Sequence, residues 1–453
     1  MLEVIILAAG EGKRMNSARP KVLQPVGGRP MLQHLVDAAR ELEPAAIRVV
    51  IGAGAEQVRA ALDGQGIDWV LQTERRGTGH AAAQALPQVD GSARVLVLPG
   101  DMPMIRAGTL ARLLESEAEL AVLSFIAEDP TGYGRIIRDD GRVTAIREEK
   151  DASDQERRVD EVNSGVLCAS SENLSAWLGQ VGDDNAQGEY YLTDCIGIAA
   201  EAGRSVEAVI ADNADELLGA NDRAQLAGLE RVFQHRARTT LLAQGVTLLD
   251  PDAVQIRGPV ESGRDVSIDV NVVLEGRNRF GDGVAIGPGC VIRDCDLAAG
   301  TRIESMSVLE GVRTTGACSV GPFARLRAGT ELAEGAKVGN FVEIKKARLA
   351  AGAKASHLSY IGDAEVGEGA NIGAGTITCN YDGVNKHRTV IGERAFIGSN
   401  SSLVAPVIVG REATIGAGSV ISTDAPDGQL TLARARQRSV PGWKRPERGD
   451  KKT

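Results

Sequence analysis

Aromatic residues are scarce in this sequence, at 3% of 453 residues, whereas glycine is abundant, with 54 residues. This pairing indicates a region built from many tight turns with small side chains inside. An excess of basic residues is also missing, because the formal net charge is −10. A nucleic-acid backbone would be repelled rather than neutralised, so we expect no nucleic-acid partner.

The first hydrophobic run of the chain, Val4–Ala9, is too short to span a membrane and has no basic segment before it. It is typical of a buried strand rather than of a signal peptide. The six cysteines form no Cys-x-x-Cys pair and have no histidine at zinc-finger spacing, so we expect buried, reduced thiols. These features favour a soluble, cytoplasmic protein without membrane insertion.

The first half of the chain alternates short apolar runs with helical patterns. Pro30–Leu42 places its leucines on one helical face, with Pro30 suited to the first turn. Such alternation predicts an α/β domain with a mainly parallel sheet, in which ligands bind beyond the carboxyl ends of the strands. The candidate strands are Val4–Ala8, Arg48–Ile51, Trp69–Leu71, Val95–Leu98 and Ala121–Phe125.

A long helix is predicted over Asn221–Gln244, where apolar residues recur at helical spacing. Asn221 or Asp222 could cap its start, and Gly245 could follow its end. We expect this helix to link two domains. The expected organisation is a first domain over residues 1–223, a linker helix over 224–244, and a second domain over 245–453 with a basic tail from about Arg436.

In the second half, an aliphatic residue recurs every six positions and is often followed by glycine. This period fits neither a helix nor an ordinary strand, but it fits a parallel β-helix of short strands joined by tight corners. The aliphatic residue then points inward, and the residue four places later is small, as is Cys290 after Ile286. The repeated positions are Val320, Leu326, Leu332, Val338 and Ile344, and then Ile391, Ile397, Leu403, Val409, Ile415 and Ile421.

Two segments are expected to interrupt the repeats, one over roughly Lys345–Ile361 and the other over Cys379–Arg388. Insertions in a solenoid form surface loops and often carry the functional site. His357 lies in the first segment, and histidine suits the general base that acyl transfer from a thioester to an amine requires. The pattern therefore predicts a functional site on the β-helix.

A glycine-rich loop that contains Gly10, Gly12 and Arg14 directly follows the first candidate strand. Its backbone N–H groups could approach a phosphate closely, and Arg14 and Lys21 could add positive charge. Asp101 ends another apolar strand, where a carboxylate is well placed to hold Mg²⁺ against substrate phosphates. The conjunction of loop and carboxylate favours a phosphate-binding site over two ordinary turns.

Over nearly its whole length the sequence resembles the family of bifunctional N-acetylglucosamine-1-phosphate uridylyltransferases/glucosamine-1-phosphate N-acetyltransferases. The resemblance implies an α/β Rossmann-like nucleotidyltransferase domain, a long linker helix and a left-handed parallel β-helix of hexapeptide repeats. It implies acetyl transfer from acetyl-CoA to glucosamine 1-phosphate, then uridylyl transfer from UTP to N-acetylglucosamine 1-phosphate with release of pyrophosphate. The product would feed peptidoglycan and lipopolysaccharide precursors. Family members are homotrimers with acetyltransfer sites between subunits.

In the first domain, the resemblance implies that Arg14 and Lys21 serve the triphosphate and that Asp101 and Asn221 hold Mg²⁺. The sugar-phosphate oxygen would attack the α-phosphorus of UTP directly, so catalysis would come from positioning and charge stabilisation. The nucleotide- and sugar-binding positions that match are Leu7, Ala8, Ala9, Gly10, Lys21, Gln72, Gly77, Thr78, Gly134, Glu148, Asn163 and Asn221.

In the second domain, His357 matches the general base of the family. The most specific match is the segment Gly375–Gly383, which includes Asn380 and Tyr381. The positions that match sugar-phosphate contacts are Arg327, Lys345, Tyr360, Asn371 and Lys386, and those that match acetyl-CoA contacts are Asn380, Tyr381, Ser399, Ala417 and Arg434.

Two alternatives compete with this interpretation. One is a sugar-1-phosphate nucleotidyltransferase, such as a glucose-1-phosphate adenylyltransferase, whose β-helix serves only assembly or regulation. His357 and the Asn380–Gly383 insertion speak against it, because a scaffold has no use for them. The other is a catalytically inactive interaction protein with both folds, which the intact Arg14, Lys21 and Asp101 disfavour.

Overall fold

The computed structural model describes residues 1–445, which divide into two compact units between Ala237 and Arg238. The division falls within the helix Arg223–Ala243. Asp222 caps this helix, because its Oδ1 accepts the N–H of Gln225 at 2.9 Å, and Gly245 follows its end at a φ of 90°. The predicted tail residues Arg448, Lys451 and Lys452 lie outside the described residues.

The first unit alternates strands and helices. Its strands are β1 Leu2–Ala8, β2 Pro25–Val26, β3 Arg29–Pro30, β4 Ala46–Ile51, β5 Asp68–Leu71, β6 Arg94–Pro99, β7 Leu120–Ile126, β8 Arg135–Asp139, β9 Arg142–Arg147, β10 Glu161–Ser170 and β11 Val206–Ile210. The α-helices are α1 Met31–Arg40, α2 Ala55–Ala61, α3 Thr78–Ala85, α4 Ala107–Leu114, α5 Ser171–Leu178, α6 Asp194–Glu201 and α7 Arg223–Ala243. Pro30 lies just before the first turn of α1 rather than within it.

The main sheet has the strand order β11-β7-β10-β6-β1-β4-β5. Neighbouring strands run parallel except at β10, which is antiparallel to both β6 and β7. The β8–β9 hairpin joins the sheet through β10. The predicted mainly parallel α/β sheet is therefore present, with one reversed strand.

Alternate residues of β1 pack on opposite faces of this sheet. Val4 and Ile6 belong to a core shared with α1 and α4, whereas Ile5 belongs to a core shared with α3, α5 and α6. Because side chains alternate along a strand, a strand that is apolar at every position must be buried on both faces. The unit is thus a three-layer domain, and its loops at the strand ends are free to form a site.

The second unit is a parallel β-helix with three faces. The first face contains Thr247–Leu248, Ser267–Ile268, Ala285–Ile286, Arg302–Ile303, Ser319–Val320, Lys337–Asn340, Lys354–His357, Asn371–Ile372, Phe396–Ile397, Thr414–Ile415 and Leu430–Thr431. The second contains Gln255–Arg257, Val273–Glu275, Val291–Arg293, Val308–Glu310, Arg325–Leu326, Glu343–Lys345, Tyr360–Gly362, Ile377–Cys379, Ser402–Val404 and Val420–Ile421. The third contains Val260–Ser262, Asn278–Phe280, Asp296–Leu297, Val312–Thr314, Thr330–Leu332, Arg348–Leu349, Ala364–Val366, Thr389–Ile391 and Val407–Val409.

The hexad residues fill the interior of this β-helix. Ile397, Leu403 and Val409 come from the three successive faces, and each is fully buried. The small residues Cys290 and Ala413, four places after an inward aliphatic residue, are also fully buried. The predicted β-helix, in which the aliphatic residue of each hexad points inward beside a small residue, is therefore confirmed.

The expected interruption over Lys345–Ile361 is wrong, because regular strands of all three faces continue through it. The inward position of one coil is Ala355, which is buried but too small to register as an aliphatic hexad residue. The spacing from Ile344 to the next inward residue, Leu349, is also one residue short. His357 consequently lies at the end of a regular strand and not in an insertion.

The second expected interruption is present. Residues 380–388 separate the strand that ends at Cys379 from the strand that begins at Thr389. Within this loop Tyr381 and Lys386 form an antiparallel bridge, so the insertion is a small hairpin. Across residues 1–445, no helix is long and apolar enough to cross a membrane.

Candidate active sites

The first site forms where β1 and β6 end side by side. Their parallel pairing carries the glycine-rich loop and Asp101 to the same edge of the sheet. The N–H of Gly100 donates to the carbonyl of Leu7 at 2.9 Å, and a Cβ on Gly100 would lie only 2.7 Å from that oxygen. Glycine is therefore required here to bring Asp101 against the loop.

A cavity of about 700 Å³ opens at this edge. Ala8 is buried beside the loop, and the carbonyl of Gly134 accepts the N–H of Asn163 at 2.8 Å. The predicted residues in the wall of the cavity are Leu7, Ala9, Gly10, Lys21, Gln72, Gly77, Thr78, Asp101, Glu148 and Asn163. Residues far apart in the sequence thus meet around one ligand-sized space.

At one end of this cavity Lys21 and Asp101 meet Asn221, which is not itself a wall residue. Nζ of Lys21 lies 2.5 Å from Oδ2 of Asp101 and 2.6 Å from Oδ1 of Asn221. The side chains of Lys21 and Asp101 are only 13% and 20% exposed, so solvent screens this ion pair little. Oδ2 of Asp101 and Oδ1 of Asn221 therefore both face the ammonium group of Lys21.

This donor set fits a magnesium ion. Mg²⁺ prefers oxygen ligands, and it is commonly bound by one or two carboxylates together with water and substrate phosphates. Among the described residues no three His, Cys, Asp or Glu side chains gather as a protein-only metal site. An ion held by Asp101 and Asn221 would therefore take its remaining ligands from water and from the substrate.

Gln72 and Gly77 lie together in the cavity wall, in the segment that matches the family's uracil contacts. The side chain of Gln72 is 4% exposed, and its Nε2 donates to the carbonyl of Gly77 at 3.3 Å. Gly77 has a φ of 107°, and a Cβ there would lie 2.5 Å from the carbonyl oxygen of Tyr190. The turn that holds Gln72 thus requires glycine at this position.

Glu148 occupies another part of the wall, where Oε1 accepts the hydroxyl of Thr193 at 2.9 Å. Burial raises the pKa of Glu148 above its ordinary value, against the hydrogen bond from Thr193, which lowers it. An ionised carboxylate in such surroundings is a strong acceptor for sugar hydroxyls. Gly134 leaves room for it, because a Cβ there would lie 3.4 Å from Oε1.

Arg14 does not line the cavity. It is exposed on the 3₁₀ turn Lys13–Met15, and the loop contributes Glu11 and Lys13 to the wall instead. Glu11 pairs with Arg75 at 2.7 Å, which joins the loops that follow β1 and β5. The structure therefore brings Lys21, but not Arg14, to the side of Asp101.

In the second unit, the imidazole of His357 contacts Asn340. Its Nδ1 lies 2.7 Å from Oδ1 of Asn340, which stands in register with it on the preceding coil. An amide oxygen can only accept, so Nδ1 carries the proton and Nε2 keeps its lone pair. This contact gives the exposed imidazole the tautomer that a general base needs.

The register of the first face aligns His357 with two predicted acetyl-CoA residues. Neighbouring strands of this face pair Lys354 with Asn371, Asn371 with Phe396, and Phe396 with Thr414. The residues three places after Lys354, Phe396 and Thr414 are His357, Ser399 and Ala417, which therefore form one column along the edge of that face. The carbonyl of Ala417 accepts Nη1 of Arg434 at 2.8 Å, which extends this column by one coil.

Cationic side chains gather on the second face. The nearby charges of Lys386 and Arg327 lower the pKa of Lys345. Cations that face one another at a surface favour an anion between them. Lys345 pairs with Gly362, on the strand that begins three residues after His357, so this basic cluster lies beside the coil of the histidine.

Asn380 and Tyr360 both approach Gly362. A Cβ at Gly362 would lie 2.5 Å from the hydroxyl of Tyr360 and 2.8 Å from Nδ2 of Asn380. Nδ2 of Asn380 also donates to Oδ2 of Asp363 at 2.5 Å. The insertion is therefore attached directly to the coil that carries His357.

A second pair shapes the insertion itself. Nε2 of His387 lies 2.8 Å from Oδ2 of Asp382. This contact, together with the backbone N–H groups of Asn385 and Val384, holds the pKa of the Asp382 carboxyl well below its usual range. The ionised carboxylate thus organises the loop from which Tyr381 and Lys386 project.

Three polar residues next to the predicted ones were missed by sequence reasoning. Asn340 supports His357, Thr193 contacts Glu148, and His80 contacts Gln72. Asn340 could have been found, because it lies one coil before His357 in the repeat. No repeat in the sequence indicates the contacts of Thr193 and His80, because these contacts depend on how α6 and α3 pack in the folded protein.

Comparisons with known proteins define the class. Residues 4–160 match the MobA-like NTP transferase domain family, and residues 388–423 match the bacterial transferase hexapeptide (six repeats) family. These matches fall on the two units in which the candidate sites lie. The protein is thus a nucleotidyltransferase joined to a hexapeptide-repeat transferase.

Full-length relatives define the family. The bifunctional protein GlmU of Stenotrophomonas maltophilia (strain K279a) is 58% identical over 447 residues, with 98% of each chain covered. GlmU of Alkalilimnicola ehrlichii is 55% identical over 447 residues, covering 98% of this chain and 96% of the relative. This chain belongs to the GlmU family, the bifunctional uridylyltransferases and acetyltransferases that its motifs resemble. The expected family, fold class and bifunctional transferase character are confirmed.

Proposed function

We propose that the first unit transfers a uridylyl group from UTP to N-acetylglucosamine 1-phosphate and that the second acetylates glucosamine 1-phosphate with acetyl-CoA. The observation that supports this proposal is that each unit brings together a group of side chains suited to one of the two transfers. Lys21, Asp101 and Asn221 converge at the cavity of the first unit, and Asn340 orients His357 in the second. A product of such chemistry is UDP-N-acetylglucosamine, a precursor for peptidoglycan and lipopolysaccharide.

In uridylyl transfer, the cavity would hold the two reactants for direct displacement at the α-phosphorus of UTP. Mg²⁺ held by Asp101 and Asn221 supplies charge neutralisation of the phosphates when bound. Lys21 is placed to turn its ammonium from Asp101 toward the triphosphate, while Glu148 and Asn163 face the sugar from the cavity wall. Positioning and charge stabilisation then suffice without a covalent intermediate.

In acetyl transfer, Nε2 of His357 would take the proton of the attacking amine. The tautomer fixed by Asn340 leaves this nitrogen unprotonated, and Lys345, Lys386 and Arg327 provide positive charge for the sugar phosphate. The column of His357, Ser399 and Ala417 offers a path along which the acetyl-CoA thioester could reach the base. Asn380 and Tyr381 would contact the same ligand from the insertion.

The alternative in which the β-helix serves only assembly is disfavoured by specific contacts. A scaffold does not require an Asn340–His357 pair, a cluster of facing lysines or an insertion held by Asp382 and His387. All of these lie on neighbouring coils. Their concentration at one place supports a catalytic role for the second unit.

We also propose that the chain assembles as a homotrimer through an apolar ladder on the β-helix. Met306, Phe323, Phe341 and Leu358 are each more than half exposed, and the Phe323 and Phe341 rings stack at 5.5 Å. All four have positive φ angles, which are uncommon for bulky residues, and Leu358 directly follows His357. A second copy of the chain on this ladder would cover apolar surface and bring another subunit to the acetyltransfer site.

A cytoplasmic location agrees with the proposed chemistry, because UTP and acetyl-CoA are intracellular metabolites. All six cysteines are unpaired, and burial raises the pKa of the Cys195 thiol to about 12. The five buried thiols are unreactive packing residues, whereas Cys379 is partly exposed; unpaired cysteines suit a reducing compartment.

We further propose that residues 1–223 form a domain that functions without the β-helix. A fragment that ends near Gly245 retains the sheet and the linker helix, together with all three hydrophobic clusters of the first unit. It should make UDP-N-acetylglucosamine from pre-acetylated sugar phosphate. A folded fragment with no uridylyl transfer would contradict these domain limits.

An omission assay tests the proposed function. The purified protein is supplied with glucosamine 1-phosphate, acetyl-CoA, UTP and Mg²⁺, and each component is left out in turn. The complete mixture should yield UDP-N-acetylglucosamine and pyrophosphate, and omission of UTP should stop the reaction at N-acetylglucosamine 1-phosphate. Failure to acetylate in the complete mixture would favour the assembly-only alternative.

A further inference from the structure

The amide of Gln72 is held in one orientation. Its Nε2 donates to the carbonyl oxygen of Gly77 at 3.3 Å and lies 2.9 Å from Nδ1 of His80. The N–H of Gln72 is bound as well, to the carbonyl of Ile51 at 2.8 Å, so the residue is anchored at both ends. Its Oε1 has no hydrogen-bond partner among residues 1–445 and is not enclosed by protein atoms.

These contacts determine the tautomer of His80. A backbone carbonyl can only accept, so the Gly77 oxygen requires the amide nitrogen of Gln72 on its side. The same nitrogen then donates to Nδ1 of His80, which must be unprotonated. The proton of the imidazole is then on Nε2, and Nε2 of Gln84, 3.3 Å away, forms no hydrogen bond with it in this tautomer, because both nitrogens are donors.

His80 does not itself reach the ligand space. The cavity wall is formed by Gln72, Gly77 and Thr78, whereas His80, two residues further along α3 than Thr78, is not part of it. Any effect of His80 on the substrate must therefore pass through Gln72. Because Nε2 of Gln72 contacts Gly77 and His80, the atom of this amide that faces the cavity is the acceptor Oε1.

We propose that His80 is a positioning residue that sets base specificity in nucleotidyl transfer by keeping the Gln72 oxygen toward the nucleotide. The inference rests on the proposed uridylyl transfer. Uracil presents a donor at N3–H, which this oxygen can accept, whereas cytosine presents a bare N3 that would repel it. A reversed amide would present Nε2–H instead and would favour cytosine.

Two substitutions of nearly equal size separate this role from simple packing. His80→Asn keeps an oxygen acceptor near the position of Nδ1, whereas His80→Leu removes the acceptor and fills similar space. In the Leu variant the Gln72 amide is held only by Gly77, at the longer distance of 3.3 Å. It can then rotate, because the two amide orientations are close in shape.

The experiment measures kcat and KM of the full-length variants with UTP and with CTP, in the presence of N-acetylglucosamine 1-phosphate and Mg²⁺. For His80→Leu the ratio of kcat/KM for UTP over CTP should fall about tenfold, as expected when one neutral hydrogen bond no longer orients the amide. KM for UTP should rise while kcat at saturation changes little. His80→Asn should restore most of the selectivity, and acetyl transfer should be unchanged in both variants.

Three results would overturn the inference in distinguishable ways. Equal use of UTP and CTP by the unsubstituted enzyme would contradict the proposed reading of uracil as well as the role of His80. A selective unsubstituted enzyme whose Leu variant loses activity with both nucleotides in the same proportion would contradict the role of His80 alone. Equal loss of selectivity in the Asn and Leu variants would also contradict it, because only one of them lacks the acceptor.

Discussion

Nζ of Lys21 lies 2.5 Å from Oδ2 of Asp101, in a pair that is largely shielded from solvent. Lys21 follows the glycine-rich loop, whereas Asp101 follows β6, so only the parallel pairing of β1 and β6 brings them together. Asn221 completes the arrangement with a second oxygen 2.6 Å from the same ammonium. The lysine thus occupies the place where a divalent cation would meet both oxygens, and we expect it to turn toward the triphosphate when the metal binds.

The first prediction concerns Asp101. Asp101→Asn should lower uridylyl transfer by about 10²–10³-fold, the usual loss for one group that stabilises transition-state charge. Acetyl transfer should be unchanged, and chelation of divalent cations in the unsubstituted enzyme should have the same selective effect. The exposed Asp129→Asn serves as the control. Equal loss of both activities on chelation would contradict a metal confined to the first unit.

The second prediction concerns Glu148, whose pKa burial raises above the unfolded value of 4.5. The carboxyl of Glu148 therefore loses its proton at a lower pH in the unfolded chain than in the folded protein. As the pH rises above 4.5, this difference lowers the free energy of unfolding. Glu148→Gln should therefore unfold at higher urea concentration at pH 7 while binding sugar phosphate less well. The gain in stability should disappear at pH 4.

Urea titrations at the two pH values measure this effect, and kcat/KM for N-acetylglucosamine 1-phosphate measures the loss of binding. The exposed Glu128→Gln is the matched control. A Glu148→Gln variant that is less stable than the unsubstituted protein at pH 7 would show that the carboxylate is stabilised, not strained, by its surroundings.

The third prediction concerns His357 and Asn340. His357→Ala should reduce acetyl transfer by about 10²–10⁴-fold, the range of general-base catalysis, and the acidic limb of the pH profile should disappear. Asn340→Ala should cause a smaller loss, because the imidazole remains but its tautomer is no longer fixed. Binding of acetyl-CoA and uridylyl transfer should persist in both. Near-normal acetyl transfer by His357→Ala would exclude it as the base.

The fourth prediction concerns the apolar ladder. Phe323 and Phe341 both have a φ of 56°, a conformation that asparagine adopts more readily than phenylalanine. The double variant Phe323→Asn/Phe341→Asn should therefore keep a folded β-helix yet sediment as a monomer, with acetyl transfer reduced and uridylyl transfer retained. Light scattering gives the mass, and Val420→Thr, an exposed residue outside the ladder, is the control. A double variant that remains trimeric would place the interface elsewhere.

The sequence was informative where physical constraints repeat. Inward residues such as Ile397 and Leu403 recur because every coil must fill the same interior, so the β-helix could be predicted in detail. The exception at Lys345–Ile361 arose because Ala355 satisfies the interior without being a large aliphatic residue. A pattern of aliphatic residues alone therefore misses coils that pack with small side chains.

The active sites were less predictable because their residues come from distant segments. Nothing local to Asn221 indicates that its side chain meets Lys21, and only the family resemblance placed it beside Asp101. For Arg14 the local sequence pattern is misleading. Its position in a glycine-rich loop predicts a phosphate contact, but its side chain lies outside the cavity wall. Supporting residues such as His80 become visible only when the fold is known.

We propose that one chain carries two separate transferase centres that act in sequence, and a mixture of two single variants tests this proposal. Asp101→Asn should convert glucosamine 1-phosphate and acetyl-CoA only to N-acetylglucosamine 1-phosphate, and His357→Ala should use that intermediate but not make it. With all substrates present, neither variant alone should form UDP-N-acetylglucosamine at a substantial rate, whereas their mixture should. A mixture that remains inactive, or a single variant that has lost both reactions while folded, would contradict the account.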